Sequence, residues 1–580
     1  MCGIVGIARR GAPADVAALH RMASAQAHRG PDGTGFELSD AGGVALGMNL
    51  LSIVGATAPG PYRSRHSGAV LTFNGEIYNW RELAQRWHLP ILPDESDAHL
   101  LLRAWDRFGS RCLGELDGMF AFAVHEPRTE RLVLVRDRLG EKPLYVHRKG
   151  GDVHFASEVK AISAAVPLTW VFPDEWHSAE TPLGTDTPYE DLELIAPGKM
   201  VALDLRTWSW SERTWWDLGD ESPAAAPSGP QLVERFSEIT MRSLESRRGP
   251  GDQALLLSGG LDSAVIARVL RPEVLVTVRY PGHARYDELG RAEEVAASIG
   301  RELIVVEPTE DDLVDSIDHI VASLDYPVGN ASLLSEFMLY RRIGELGIRV
   351  VHGGIGPDEF LLGYTRHALA AQCVTAASAA RFGAYEPLAR RFATSADLSG
   401  SIAERYYRGI LRGSDPSGVL HRLVHERFAE EADVGRALTK VDLASAFPPL
   451  LLSADKLSSA FGLERRSPFL AHRWAQLCFS LPMELKCPTD AKAPTKVLLR
   501  QFAETVGVPR SVIDDHDKRG FASPVPVWLT TTLRAWAHSR TSPTSWSTAP
   551  ARQLDPGDSD PYDRSRFMNL MISIWRETTP

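Results

Sequence analysis

Cysteine is scarce in this chain: five occur in 580 residues (Cys2, Cys112, Cys373, Cys478 and Cys487), scattered and odd in number. No two form a CxxC pair, so neither a disulfide framework nor a zinc site is indicated, and a reducing, cytoplasmic compartment is expected. Long apolar runs are missing as well. No stretch approaches the roughly 18 residues that a membrane-spanning helix needs. The start lacks a basic segment followed by an apolar one, so no signal peptide is expected. Excess positive charge is also absent: 63 Lys and Arg stand against 74 Asp and Glu, a net charge of −11. With no basic run to offset that balance, a nucleic-acid-binding surface is excluded. There is no internal repeat.

What is present is length and an unusual beginning. At 580 residues the chain exceeds one ordinary core, so two or more domains are expected. It opens Met1-Cys2-Gly3-Ile4-Val5-Gly6. Removal of Met1 would put a thiol and an α-amine on one residue. The thiol can attack a carbonyl, and the amine, with an ordinary pKa of about 7.7–8.0, can take its proton near neutral pH. That is the layout of an N-terminal-nucleophile amidase.

Short apolar runs with turn signals between them make the first third β-rich: Ile4 to Ala8, Val44 to Met48, Ala69 to Phe73, Phe120 to Val124, Leu132 to Arg136 and Val153 to Ala156. Trp80 to Trp87 and Asp97 to Phe108 show helical spacing. An α+β layered domain follows. The Pro/Ala/Ser-rich stretch from Asp217 to Pro230 reads as a linker. Beyond it strands and helices alternate: Ala254 to Leu257, Ala264 to Leu270, Val274 to Val278, Leu289 to Ile299 and Arg349 to His352. This predicts a parallel sheet with covering helices. From about Leu369 the chain is mainly helical, with a polar surface loop over Arg540 to Asp563. The expected division is 1–215, a linker at 216–230, and 231–580.

Two strings join Cys2. Phe73-Asn74-Gly75-Glu76-Ile77-Tyr78-Asn79 follows an apolar run, where an Asn amide and a Gly N–H can form an oxyanion hole. Glu95-Ser96-Asp97 opens a helix, where Ser and Asp are also ordinary capping residues. In the second half, Leu255-Leu256-Leu257-Ser258-Gly259-Gly260-Leu261-Asp262-Ser263 follows a strand and opens a helix. Its glycines admit a phosphate, and its amides and hydroxyls can bind one. With no Lys in the loop it is not the GxxxxGK[ST] motif.

With these pieces the first domain resembles the glutamine amidotransferase domain of the asparagine synthetase family. Further matches are His28-Arg29-Gly30-Pro31-Asp32-Gly33, Leu116 to Phe122, Arg136-Asp137-Arg138-Leu139-Gly140, Lys142-Pro143-Leu144-Tyr145 and Phe155 to Lys160. The second domain resembles the family's synthetase domain, through Val278-Arg279-Tyr280-Pro281-Gly282, Gly353-Gly354-Ile355-Gly356-Pro357-Asp358-Glu359, Leu463 to Leu470 (leading into a helix) and Asp517-Lys518-Arg519-Gly520-Phe521. The resemblance implies an αββα N-terminal-nucleophile (Ntn) glutaminase followed by an α/β ATP-pyrophosphatase domain with a helical C-terminal part. It implies Cys2 as nucleophile, with Asn74 and Gly75 at the oxyanion. Ile53, Val54, Asn74, Glu76 and Asp97 would hold glutamine. Leu257, Ser258, Gly259, Gly260, Asp262, Ser263, Val278, Gly353, Gly354 and Lys518 would hold ATP, with Mg²⁺ on Asp262 and Asp358. The implied partners are glutamine and a small-molecule or peptide carboxylate, and a homodimer is the candidate assembly.

Four positions depart from the family's strings. Leu50 stands where the family carries an Arg for the glutamine carboxylate. Leu cannot supply a bidentate guanidinium, and losing such a partner costs about 2–5 kcal/mol. Ile355 replaces a Glu that serves the aspartate chemistry, Ala471 replaces the Asp after PFL, and His516 replaces an Arg. The nucleotide residues persist while acceptor-side residues differ, so the expected acceptor is a carboxylate other than aspartate, in specialised metabolism. The alternative is an intramolecular amide former like the β-lactam synthetases or lasso-peptide cyclases.

Overall fold

The computed structural model describes residues 2–55, 58–171, 181–219, 229–371, 389, 401–411, 415–488, 494–515, 523–541 and 565–578. Most of the expected linker, the C-terminal polar loop, and the His516 and Lys518 segment lie outside them.

Twelve strands build the first part: β1 (Gly3–Arg9), β2 (Gly33–Leu38), β3 (Val44–Leu50), β4 (Tyr62–Arg63), β5 (Val70–Ile77), β6 (Gly118–Glu126), β7 (Arg131–Arg136), β8 (Tyr145–Lys149), β9 (Asp152–Ala156), β10 (Leu192–Leu194), β11 (Lys199–Asp204) and β12 (Ser209–Thr214). They form two six-stranded antiparallel sheets, ordered β10-β8-β9-β1-β3-β2 and β12-β11-β7-β6-β5-β4. In β1 the two-residue side-chain period is decisive. Ile4 and Ala8 join Leu46, Ala121, Leu134 and Phe155 in the core between the sheets. Val5 and Ile7 point the other way, to Leu19 and Met22 of the helix Val16–Ala25. Gly6 lies on the inner face because a Cβ there would sit 2.1 Å from the Phe155 ring. On the outer face of the second sheet, Phe73, Phe120 and Phe122 pack against Leu101 and Trp105 of the helix Asp97–Phe108. The layering is therefore αββα, as expected.

The second part holds β13 (Gln253–Leu256), β14 (Val274–Val278), β15 (Leu303–Val306), β16 (Val350–His352) and β17 (Glu464–Arg466). All four pairings are parallel, in the order β15-β14-β13-β16-β17. From β13 the chain winds outward to β15, then returns to the other side of β13 as β16. The β13/β16 boundary is thus the switch point where such sheets bind ligands, beyond the strands' carboxyl ends. Leu463 to Leu470 leads into a helix as expected, and Glu464-Arg465-Arg466 within it adds a strand that the sequence did not show. This strand, β17, lies buried on β16, with a 3₁₀ turn at Pro468–Leu470 before the helix His472–Ser480. A charged triplet tolerates this burial because Glu464 and Arg466 pair with each other at 2.8 Å.

Candidate functional sites

Cys2 lies just ahead of β1, 7% exposed, at the end of the sandwich. Its backbone nitrogen donates to Asn74 Oδ1 at 3.0 Å, and its carbonyl accepts from Arg29 Nε at 3.1 Å. Burial pushes the thiol pKa up, so the thiol needs a base close by to lose its proton. Asn74 and Gly75 sit on β5, opposite Ala121 and Phe120 of β6. Asn74 is fully buried, and its Nδ2 has no hydrogen-bond partner. A buried amide donor left unmade is costly. Here it lies beside Cys2, whose backbone nitrogen the same side chain holds. Gly75 has φ +152°, and a Cβ on it would meet the Met119 carbonyl oxygen at 2.1 Å, so only glycine fits.

Glu76 and Asp97 come together across the β5 end and the helix start. Asp97 accepts from the backbone N–H groups of Ile77 at 2.8 Å and Ala98 at 2.9 Å. Ser96 forms a capping box with His99, so Asp97 is spared for a contact outside its own helix. Burial raises the Asp97 carboxyl to about 7. Burial, then the Asp97 charge, raises Glu76 well above the usual carboxylate range. Glu464 and Arg466 of β17 reach the same place, with Arg466 Nη2 3.6 Å from Glu76. This group of three acids and one guanidinium would gain surplus negative charge as Asp97 and Glu76 ionise, which would suit a substrate ammonium.

Around Cys2 the packing is apolar. Leu50 ends β3, is 3% exposed, and packs with Cys2, Met48 and Tyr62. Arg63 does not replace the missing guanidinium, because it pairs with Glu37 at 2.5 Å. Ile53 and Val54 are half-buried in the turn that follows. That turn is pinned by Asp32, which accepts from Ser52 N at 2.8 Å and pairs with Arg349.

The second candidate site lies at the switch point. Leu257 continues β13, donating to Val276 O at 2.9 Å. The Ser258 and Ser263 hydroxyls meet at 3.1 Å, and Gly260 N donates to Ser258 Oγ at 3.3 Å. Gly259 has φ +74°, and a Cβ there would lie 2.9 Å from the Glu288 carbonyl oxygen. Val278 closes β14 beside this loop. The loop after β16 carries Gly353, Gly354 and Asp358. Asp262 and Asp358 are both buried, and Lys496 Nζ bridges them, at 2.8 Å and 2.6 Å. Lys496 escaped the sequence reading, and nothing in its local string marks it. Two buried carboxylates in the first turns of the helices Leu261–Leu270 and Pro357–Phe360 are hard oxygen donors suited to Mg²⁺. Lys518 lies outside the described residues.

Ile355 packs half-buried against the apolar cluster that includes Phe469 and Leu470. Next to it Glu359 accepts from Gly356 N at 3.0 Å and from the Tyr364 hydroxyl at 2.6 Å. Burial, then Asp358, raises its carboxyl to about 7. Arg366 and His367 converge on Asp442 at 2.6 and 2.7 Å, and Tyr406 donates to it at 3.1 Å.

A buried chain of charge joins the two sites' domains. Arg29 pairs with Glu158 at 2.9 Å and with Asp455 at 2.8 Å. Lys142 also reaches Asp455, at 3.2 Å, while Lys160 links Glu158 to Asp325, which pairs with Lys456.

Comparison with known proteins gives a consistent answer. The glutamine amidotransferase domain model matches residues 1–216, and the asparagine synthase model matches residues 248–567. A Mycobacterium tuberculosis protein provisionally named asparagine synthetase [glutamine-hydrolyzing] is 28% identical, over 99% of this chain and 97% of its own length. Asparagine synthetase [glutamine-hydrolyzing] 1 of Bacillus subtilis is 24% identical over 93% of this chain and 89% of its own. A solved B. subtilis glutamine phosphoribosylpyrophosphate amidotransferase covers 61% of this chain and 81% of its own, at 14% identity and a TM-score of 0.30, which carries no argument. The asparagine synthase model alone spans more than half of the chain, so the chain belongs to the asparagine synthase family and is a glutamine-dependent carbon–nitrogen ligase in type.

Proposed function

We propose that this chain amidates a carboxylate other than free aspartate, using ATP and ammonia drawn from a primary amide at Cys2. The observation that carries the first half is the unpartnered, buried Nδ2 of Asn74 beside the nucleophile. Once Met1 is gone, the nitrogen held by Asn74 is an α-amine that can take the thiol proton. The sulfur attacks the amide carbon, and Asn74 Nδ2 with Gly75 N–H receives the oxyanion. The carbon–nitrogen bond then breaks, ammonia leaves with the proton, and water frees glutamate from the thioester. Glu76 and Asp97 hold the amino end.

In the second domain the Ser258 to Ser263 loop and the Gly353-Gly354 loop hold the nucleotide phosphates. Asp262 and Asp358 are the residues that would hold Mg²⁺, which when bound neutralises charge on the pyrophosphate. The acceptor carboxylate oxygen attacks the α-phosphorus and pyrophosphate departs. Ammonia then attacks the acyl carbon and AMP leaves. Ile355 can neither accept a proton nor bind an ammonium ion, which supports an acceptor other than aspartate.

Leu50 favours a second reading, an internal amide former that uses an amine of its own substrate. Glutamate release from glutamine by the purified protein, beside Cys2→Ala, separates the two. Release that vanishes in Cys2→Ala supports ammonia delivery. No release with Met1 absent, restored by Leu50→Arg, shows that the machinery is intact but the donor is not free glutamine. No release from either favours the cyclase.

A further inference from the structure

Scarce cysteine spoke only against a thiolate zinc site. Among the described residues one group outside the two sites has metal-ligand chemistry: Glu404, His421 and His425. Glu404 comes from the short helix Ile402–Arg405, and both histidines from the helix Val419–Glu430. Residues four apart share a helix face one turn from each other, and the two imidazole centroids are 4.2 Å apart. Each presents Nε2 to the same oxygen, Glu404 Oε2, at 3.4 Å from His421 and 3.0 Å from His425. All three ligand atoms lie within 4.8 Å of one another. Around a tetrahedral zinc ion with bonds of about 2.0–2.2 Å, ligand atoms stand about 3.3–3.6 Å apart. The observed spacing needs only small side-chain adjustments.

The surroundings fit as well. The other Glu404 oxygen accepts from Arg408, which fixes the carboxylate's orientation. The Tyr407 ring supports His421 edge-on at 4.9 Å. The three side chains are 19%, 21% and 36% exposed for Glu404, His421 and His425, enough to admit the ion and one water. Two imidazoles and a carboxylate suit Zn²⁺ better than Mg²⁺, which prefers oxygen alone.

We propose that Glu404, His421 and His425 bind one Zn²⁺ ion per chain, with water in the fourth position. The ion fastens the Ile402–Arg405 helix to the Val419–Glu430 helix. Tyr406, two residues beyond Glu404, donates to Asp442, the shared partner of Arg366 and His367. The site therefore steadies the helical part that backs the Asp358 loop. It is independent of which acceptor the enzyme uses.

The test uses the full chain, stripped with a chelator and titrated with Zn²⁺ against a chromophoric competitor. One equivalent is expected to bind below about 1 µM, with a rise in Tm. The same site should give the visible absorption of tetrahedral Co²⁺. His421→Gln/His425→Gln should weaken binding by roughly 100-fold or more and abolish both the spectrum and the Tm rise. If that variant does not fold, as read by circular dichroism, Glu404→Gln takes its place and should weaken binding by about tenfold or more. Wild-type binding weaker than about 10 µM, or an equivalent and a Co²⁺ spectrum retained in the variants, overturns the proposal.

Discussion

Asn74 and Asp97 make opposite demands on their surroundings. Asn74 holds the Cys2 nitrogen with its oxygen and keeps its buried Nδ2 donor unsatisfied, which the proposed hydrolysis would use in the transition state. Asn74→Ala is expected to lower kcat for glutamine hydrolysis by about 10²–10³ while KM changes little, measured as glutamate release. Asp97 is held near neutrality by burial, with its carboxyl at about 7. It must ionise to hold an ammonium, so KM for an amino-bearing donor should fall as pH rises through about 7. Asp97→Asn should flatten that profile. Stability runs the other way. A carboxyl raised in the folded state keeps its proton there more tightly than in the unfolded chain, where its ordinary value is about 3.9. Its unfavourable contribution is therefore absent below pH 4 and grows as pH rises toward 7. Chemical denaturation of wild type and Asp97→Asn at pH 5 and pH 8 checks it: the variant should gain relative stability at the higher pH.

At the scale of elements, the apolar runs were legible and the pairing partners were not. β1, β3, β5, β6, β7 and β9 each carry a run of buried apolar residues and follow from the sequence. β8 (YVHRK), β12 (SWSERT) and β17 (ERR) do not, because their strand state comes from neighbours they hydrogen-bond to, not from their own pattern. Cys2, Asn74 to Glu76 and Ser258 to Asp262 stand in short strings that suggest a chemistry, while Asp97, in a string that alone reads as a helix cap, was picked out by the family resemblance. Lys496 was not legible, since its partners Asp262 and Asp358 are brought to it only by the fold. It stands at the N-cap of the helix Val497–Thr505 with φ +59° and bridges two buried acids. Lys496→Ala should remove the cation that bridges those two carboxylates. A drop of several degrees in Tm without Mg²⁺ is expected, with a larger Mg²⁺-induced recovery than in wild type, read by thermal shift. Equal Mg²⁺ responses would show that Lys496 and the cation do not share a site.

Across the whole molecule the two halves meet through buried charge. Arg247 of the second part also pairs with Asp117 of the first, at 2.6 Å. Asp455→Ala should take one buried carboxylate from Arg29 and from Lys142, and removal of one member of such a buried group typically costs about 3–5 kcal/mol. Calorimetry should show the Tm of both parts falling together; a shift confined to the second part would mean that the interface does not couple them. This network could not be foreseen from His28 to Gly33 or from Leu457 outward, because a charged residue's partner some hundreds of positions away leaves no local trace.

Arg29 has a further consequence. Its guanidinium holds the Cys2 carbonyl with one nitrogen and the second domain's Asp455 with another. The Cys2 backbone is therefore moored to the second half of the protein. Anyone exchanging amidase halves between relatives to make chimeric enzymes would need to transplant both ends of that mooring. A donor half brought in without a matching acid at position 455 would keep the Asn74 and Glu158 contacts around Cys2 but lose the tie that joins it to the other half.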